Sequence, residues 1–384
     1  MKVSWKISVL VIFLTLIGTI VFAEDKTEPV VKFGGRIQND WTFVDESMRV
    51  RETFGEQPSG SEFRRLRIFA KGMVVPNIEF KLQVDFAGGE VKLKDAYIGL
   101  KHVPYVGKVR IGHLKEPFSL EESTSSKYIT FLERALPVGL APSRNAGILV
   151  GQTVAHGRVT WAAGVFRDTN SFGEARGTAY HLTGRVTALP LYLDDGRELV
   201  HIGIGYSFRN PENDVLRFRQ RPEVHLASRL IDTGTLEGVK DYQLFGLEGA
   251  FVFGRLSVQG EYIVTTINAS TYNDPVFKGY YVYASFFLTP GDRRRYAVKS
   301  GSFGRVRPNR SVGKGGMGAI EMAIRYSTLN LDGGRVQGGK LRNVTFALNW
   351  YLNAHTRVMV NYVHADRLMI GTADYLLTRF QVDF

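Results

Sequence analysis

Arginine and lysine recur at alternate positions in many stretches of this chain, and the chemistry they offer is non-covalent. Arg36, Arg65, Arg67, Lys71, Lys81, Lys108, Arg110, Arg158, Arg185 and Arg325 each lie in a segment whose other alternate positions are apolar. A strand sends successive side chains to opposite faces, so these cations share the face turned away from the oily one. A guanidinium holds phosphate or carboxylate through paired hydrogen bonds and keeps its charge while doing so. Spaced cations also let an anion step from one weak site to the next, which conduction requires. A second group, Ser123-Thr124-Ser125-Ser126 followed by Lys127, sets hydroxyl donors beside an ammonium. It suits an oxyanion, but on the residues alone the cap of a short helix in ITFLERAL is the favoured reading.

Other chemistries find no residues. The chain has no cysteine, which removes disulfides, thiolate catalysis and Cys-ligated metals. H-E-x-x-H, P-loop and G-x-S-x-G patterns are absent and the eight histidines are scattered, so neither an enzyme, a metal site nor a cofactor is expected. The formal charge is +12, from 49 Lys+Arg against 37 Asp+Glu. Nucleic acid is the usual partner of such a balance, but the N-terminus redirects that reading. Lys2 and Lys6 precede the apolar run Ile7 to Phe22, and Val21-Phe22-Ala23 has the small-x-Ala form of a cleavage site. Residues 1–23 read as a secretory signal peptide, leaving 24–384 as one domain. An exported chain does not routinely meet nucleic acid, so small anions are the expected partners.

The last ten residues show which elements carry the cations. In YLLTRFQVDF, Leu376, Thr378, Phe380, Val382 and Phe384 fall on one face, and Arg379, Gln381 and Asp383 on the other. Ile78 to Phe86 alternates without a fault, with Ile78, Phe80, Leu82, Val84 and Phe86 against Glu79, Lys81, Gln83 and Asp85. Sixteen such segments run from Phe33 to Phe384. They predict an all-β transmembrane antiparallel barrel, oily outside and wet inside, with Asn77, Gly157, Gly254 and Asn353 at the periplasmic rim. A seventeenth candidate, RPEVHLASRL within 210–240, is assigned to a long external loop because single-chain barrels have even strand numbers. The stretch from about Lys115 to Asn145 is too apolar for disorder and is expected to fold into the lumen. The basic connection 289–315, with Arg293-Arg294-Arg295, falls on the periplasmic side and reads as a solvated loop.

Five segments carry a family resemblance: TSSKYITFLERALP (124–137), EFRRLRIFAKG (62–72), LKDAYIGL (93–100), KSGSFGRVRP (299–308) and LNWYLN (348–353). The chain resembles the phosphate-selective porins O and P. The resemblance implies a homotrimeric sixteen-stranded barrel in the outer membrane of a Gram-negative-type bacterium, in contact with lipid bilayer and lipopolysaccharide. Its third loop folds inward, and a basic ladder leads to a constriction that binds phosphate or polyphosphate, with chloride also passing. Matching motifs assign to that constriction Arg64 and Arg65 in FRRLR, Asp95 in LKDAY, Ser125, Ser126 and Lys127 in TSSKY, and Arg134 in LER. Alternation independently turns Arg65 and Asp95 inward. It turns Arg64 outward unless the strand is bulged or begins above the lipid. Asp95 either orients neighbouring cations or forms a simple lumenal ion pair. The alternatives are a general-diffusion or sugar porin without phosphate specificity, and an adhesin or structural barrel that uses the loop at 210–240.

Overall fold

The computed structural model describes residues 29–384. The expected signal peptide and its cleavage site lie outside them. Sixteen antiparallel strands close into a barrel. In chain order they are β1 (Val30–Glu46), β2 (Gly60–Val75), β3 (Ile78–Asp85), β4 (Lys92–Val103), β5 (Gly107–Lys115), β6 (Arg144–Val154), β7 (Val159–Arg167) and β8 (His181–Leu193). There follow β9 (Glu198–Arg209), β10 (Asp241–Phe253), β11 (Leu256–Asn268), β12 (Val276–Phe287), β13 (Ala319–Gly333), β14 (Val336–Tyr351), β15 (Thr356–Arg367) and β16 (Gly371–Asp383).

The terminal strands pair from Arg36 opposite Asp383 to Glu46 opposite Ala373, which leaves no free sheet edge. Alternation is regular where the sequence is: β12 runs exposed then buried through its first eight residues, with Val276, Lys278, Tyr280 and Val282 outside. The expected strand count holds, and β8 begins at His181 rather than Gly177. RPEVHLASRL joins no barrel strand. Two-residue ladders flank it, Val215–Leu216 with Leu236–Glu237 and Arg219–Gln220 with Ile231–Asp232. Turns at one rim are short, apart from the connection 288–318. Gly254, in the two-residue link from β10 to β11, has a φ of 55°, a left-handed value that favours glycine.

Three connections pack against the inner wall. Residues 116–143, between β5 and β6, are the first. Glu261 on β11 accepts the backbone N–H groups of Leu120 (2.9 Å) and Glu121 (2.7 Å), and Tyr281 on β12 donates to the same carboxylate at 2.6 Å. Residues 210–240, between β9 and β10, send Glu223 into the interior. It takes hydrogen bonds from Leu136 N–H, Arg325, Ser327 and Thr345. Residues 288–318, between β12 and β13, rise from the opposite rim as a small hairpin in which Tyr296 pairs with Phe303. The hairpin meets the first segment where Thr124 accepts the Phe303 N–H at 3.3 Å and Arg294 donates to Thr130. Apolar side chains fill the gaps, among them Leu136, Leu140, Leu216, Leu230, Leu341, Met359 and Tyr375.

Two expectations fail here. ITFLERAL is not helical; a single turn, Leu120–Ser123, precedes it and is capped by Ser119, whose Oγ accepts the Glu122 N–H at 3.1 Å. The carbonyls of Ile129, Thr130, Leu132 and Glu133 are instead taken by Arg357, Asn349, Arg379 and Arg325 from the wall, at 2.7–3.0 Å. With the backbone satisfied from outside the segment, helix formation brings no hydrogen-bond advantage. Arg294 is likewise no solvated loop residue: it is 2% exposed, beneath Thr130 and over the Phe303 ring at 4.6 Å.

Replacing Glu261 with Ala leaves two buried N–H groups without their acceptor, a cost of about 1–3 kcal/mol each. The expected outcome is faster hydrogen exchange over residues 116–141 with strand circular dichroism unchanged. Equal protection in wild type and Glu261→Ala would show that the segment does not depend on this carboxylate.

Candidate functional site

The filled interior leaves a cavity of about 410 Å³ between the segment 116–143 and the inner faces of β1–β6. Two bulges shape its wall. In the β1–β2 ladder Gln38 faces Arg65 and Asn39 faces Phe63, so Arg64 is the extra residue. The bulge turns Arg64 inward beside Arg65, where simple alternation would turn it out. In the β3–β4 ladder Leu82 faces Ala96 and Val84 faces Leu93, leaving Lys94 and Asp95 together opposite Gln83. Both line the cavity. The doublets in FRRLR and LKD were the signal: two charged residues in succession cannot both leave the lipid face of a strand with period two unless it bulges.

Among the described residues ten cationic side chains line this space. Five carboxylates pair with eight of them. Arg67 meets Asp85 at 2.6 Å and Arg110 meets Glu79 at 2.8 Å. Asp95 joins Lys81 to Arg144, the latter at 2.8 Å. Glu122 takes Lys115 at 3.2 Å and Arg134 at 3.1 Å. Burial acts to raise the Glu122 carboxyl, but Arg134 and Lys115 outweigh it and bring it down to about 2. Glu133 receives Arg64 through two hydrogen bonds (2.7 and 2.9 Å), with Arg379 at 3.0 Å and Arg65 at 3.6 Å. Burial opposes its charge too, yet these three guanidinium groups hold it well below the usual carboxylate range. Asp95 is thus an ion-pair hub that orients its neighbours, which joins the two readings of that residue.

Arg36 and Lys94 have no carboxylate within 4 Å among the described residues. Arg36 donates to Ser126 Oγ at 2.6 Å, and Arg65 to Gln38 Oε1 at 2.9 Å. Ser125 and Ser126 sit on the same wall. The cavity therefore carries surplus positive charge beside hydroxyl groups, with no nucleophile–base pair. It can hold an oxyanion. A second space of about 790 Å³ adjoins it, sharing Arg110, Lys115, Ser123 and Leu149 and adding Lys108, Arg185 and Lys299.

The expected constriction residues are brought together with one exception. Arg64, Arg65, Asp95, Ser125, Ser126 and Arg134 share the cavity wall. Lys127 does not. The chain turns at Ser125–Tyr128, whose Tyr128 N–H donates to Ser125 C=O at 2.7 Å, and this sends Lys127 to Asp383 at 3.1 Å beside Arg305. Of the expected ladder, Arg36, Arg67, Lys81 and Arg110 line the cavity. Lys108 lies in the second space, and so does Arg185, which pairs with Glu248 at 2.6 Å. Arg325 is covered, paired with Glu223 at 2.5 Å and lying 4.2 Å from the Phe131 ring centroid. Arg158 sits in the β6–β7 turn over Tyr192, and Lys71 is exposed beside Phe69. Lys94, Lys115 and Arg144 are lining cations that alternation alone did not select.

Residues 31–384 match the family described as phosphate-selective porin O and P. An uncharacterized protein of Caulobacter vibrioides is 31% identical over 349 residues, covering 85% of this chain and 68% of its own length. Porin O of Pseudomonas aeruginosa is 25% identical over 397 residues, covering 93% of this chain and 88% of its own. Among solved structures, an anion-selective porin from Comamonas acidovorans superposes with a TM-score of 0.59 over 93% of this chain and 100% of its own. Its 14% identity speaks for the fold alone.

If Glu133 positions Arg64, their effects on anion affinity are not additive. A double-mutant cycle of Arg64→Gln and Glu133→Gln on phosphate binding by the purified protein is expected to return a coupling of about 0.5–3 kcal/mol. A value near zero would mean that the pair acts independently.

Proposed function

This chain belongs to the phosphate-selective porin O and P family and is an outer-membrane porin, and from that premise we propose that it is a passive anion-selective channel for phosphate or polyphosphate. The observation that carries this reading is the cavity beside 116–143, where ten cations meet five carboxylates and Arg36 and Lys94 keep no carboxylate partner. A cation in a narrow, partly dehydrated space is less screened than one on a surface, so its pull on an anion is stronger. Arg36, Arg65 and Lys94 attract; Ser125 and Ser126 supply hydroxyl groups for the anion's oxygens. The five carboxylates limit the depth of the well, so that the ion can leave. Lys108, Arg185 and Lys299 extend the basic path toward the rim of short turns.

The same premise carries the remaining parts of the reading. The chain is exported by its N-terminal signal, cleaved near Ala23. It assembles as a homotrimer, and its outer wall faces bilayer lipid and lipopolysaccharide. A channel rather than an enzyme fits a wall of fixed cationic side chains in a porin barrel. A sugar porin is the less favoured alternative, since the cavity wall is dominated by charge and carries Tyr97 as its one aromatic ring among the described residues.

Single-channel recording with phosphate added to a chloride bath tests the assignment. Arg36→Gln and Arg65→Gln are expected to weaken phosphate block about tenfold or more each, the size of one charge-assisted hydrogen bond. Lys127→Gln, whose ammonium is turned to Asp383, is expected to change it far less. Phosphate block that survives both arginine substitutions, or that falls mainly with Lys127, would move the site elsewhere.

A further inference from the structure

The outer wall carries a second basic group, separate from the interior. Strand registers align Tyr262, Tyr280, Thr328, Arg342 and Asp366 in one row across β11–β15. The next row toward the long loops holds Val264, Lys278, Asn330 and Lys340. Lys278, Lys340 and Arg342 are exposed on the outward face, and Arg335 is exposed in the tight link between β13 and β14. Lys340 has Asp332 at 3.9 Å, and Asp366 stands opposite Arg342. Lys278, Arg335 and Arg342 have no carboxylate within 4 Å among the described residues.

Beneath these rows the same strands present Tyr326, Ile324, Phe346, Met322, Leu348 and Trp350 to the outside. From Trp350 to Arg342 is eight residues, roughly 20 Å of height for a tilted strand. The cations therefore stand where hydrocarbon gives way to headgroups, the level at which a lipid-facing charge costs little.

Beside them lies an apolar groove of about 760 Å³ in the outward surface of β8–β12. Val186, Ile202, Ile204 and Leu247 form its sides, and Tyr262 and Tyr280 form its end next to the cations. Its floor exists because Gly249 and Gly260, paired with each other across β10 and β11, put no side chain there. A Cβ added at Gly249 would meet nothing nearer than 3.9 Å.

We propose that Lys278, Lys340, Arg342 and Arg335 bind the phosphate groups of an acylated lipid of the outer leaflet, and that one of its chains lies in the groove over Gly249 and Gly260. The inference rests on the outer-membrane reading. Phosphate supplies the counter-charge that three of the four cations lack on the protein. The groove receives a hydrocarbon chain whose headgroup end emerges at Tyr262 and Tyr280. Free phosphate would satisfy the cations and leave the groove unused.

Native mass spectrometry of the full mature protein in mild detergent, titrated with bisphosphorylated lipid A, tests this. The combined variant Lys278→Gln/Lys340→Gln/Arg342→Gln is expected to reduce lipid adducts about tenfold, and Gly249→Leu, which fills the groove, to reduce them several-fold. Inorganic phosphate at millimolar concentration is expected not to compete. No adduct with wild type, equal adducts in all variants, or full competition by inorganic phosphate would each overturn the lipid site. Both variants should remain heat-modifiable and conducting. A protein that fails to conduct, or is absent from the outer membrane, would instead sink the porin reading.

Discussion

Closure of the hydrogen-bond ladder is the constraint on which the rest of this structure depends. Backbone groups in a bilayer must be paired within the protein, and a barrel pairs them only when its last strand meets its first. Sixteen strands closed in this way enclose a space wide enough for an aqueous channel. A narrower path must therefore be made by partial filling. Residues 116–143, 210–240 and 288–318 fill the side bounded by β9–β16 with apolar packing. The side bounded by β1–β6 keeps its charged wall open.

The cations divide accordingly into two kinds. Arg325, Arg357 and Arg379 hold backbone carbonyls of the inward segment and are buried. They satisfy groups that would otherwise lie unpaired in the interior, and that is their chemistry. Arg36, Arg64, Arg65 and Lys94 border the cavity. Net charge does not distinguish the kinds, because both contribute equally to it. Position relative to the filled side does.

The barrel was legible in the sequence because period-two alternation is local: each strand reports its own two faces. Arg65 and Asp95 were assigned inward on that ground alone. Arg64 and Lys94 follow from bulges, which depend on the partner strand as well as their own. Lys127 was misplaced because its direction is set by a turn at Ser125–Tyr128, not by a period. Arg294 was misread because a basic, glycine-rich connection looks alike whether it meets water or the underside of another loop. Its burial rests on Thr130 and Phe303, one distant in sequence and one across a two-residue ladder. The parts hidden from the sequence are those fixed by long-range contacts.

The ion pair across the seam has a consequence for assembly. Arg379 on the last strand binds both Asp40 on the first strand, at 2.6 Å, and Glu133 in the inward segment. The carboxylate that fixes Arg64 is thus itself held by a residue synthesised almost 250 positions later. Contacts of such long range form late, after the entropy of closing the intervening chain has been lost. An unfinished barrel would already have β2 and its arginines, but not the partner geometry that narrows the path. The proposed selectivity would then arrive together with closure, in one step. An intermediate caught before it would present unpaired strand edges as well as unfixed arginines, so a membrane that receives this chain gains by receiving only the sealed barrel.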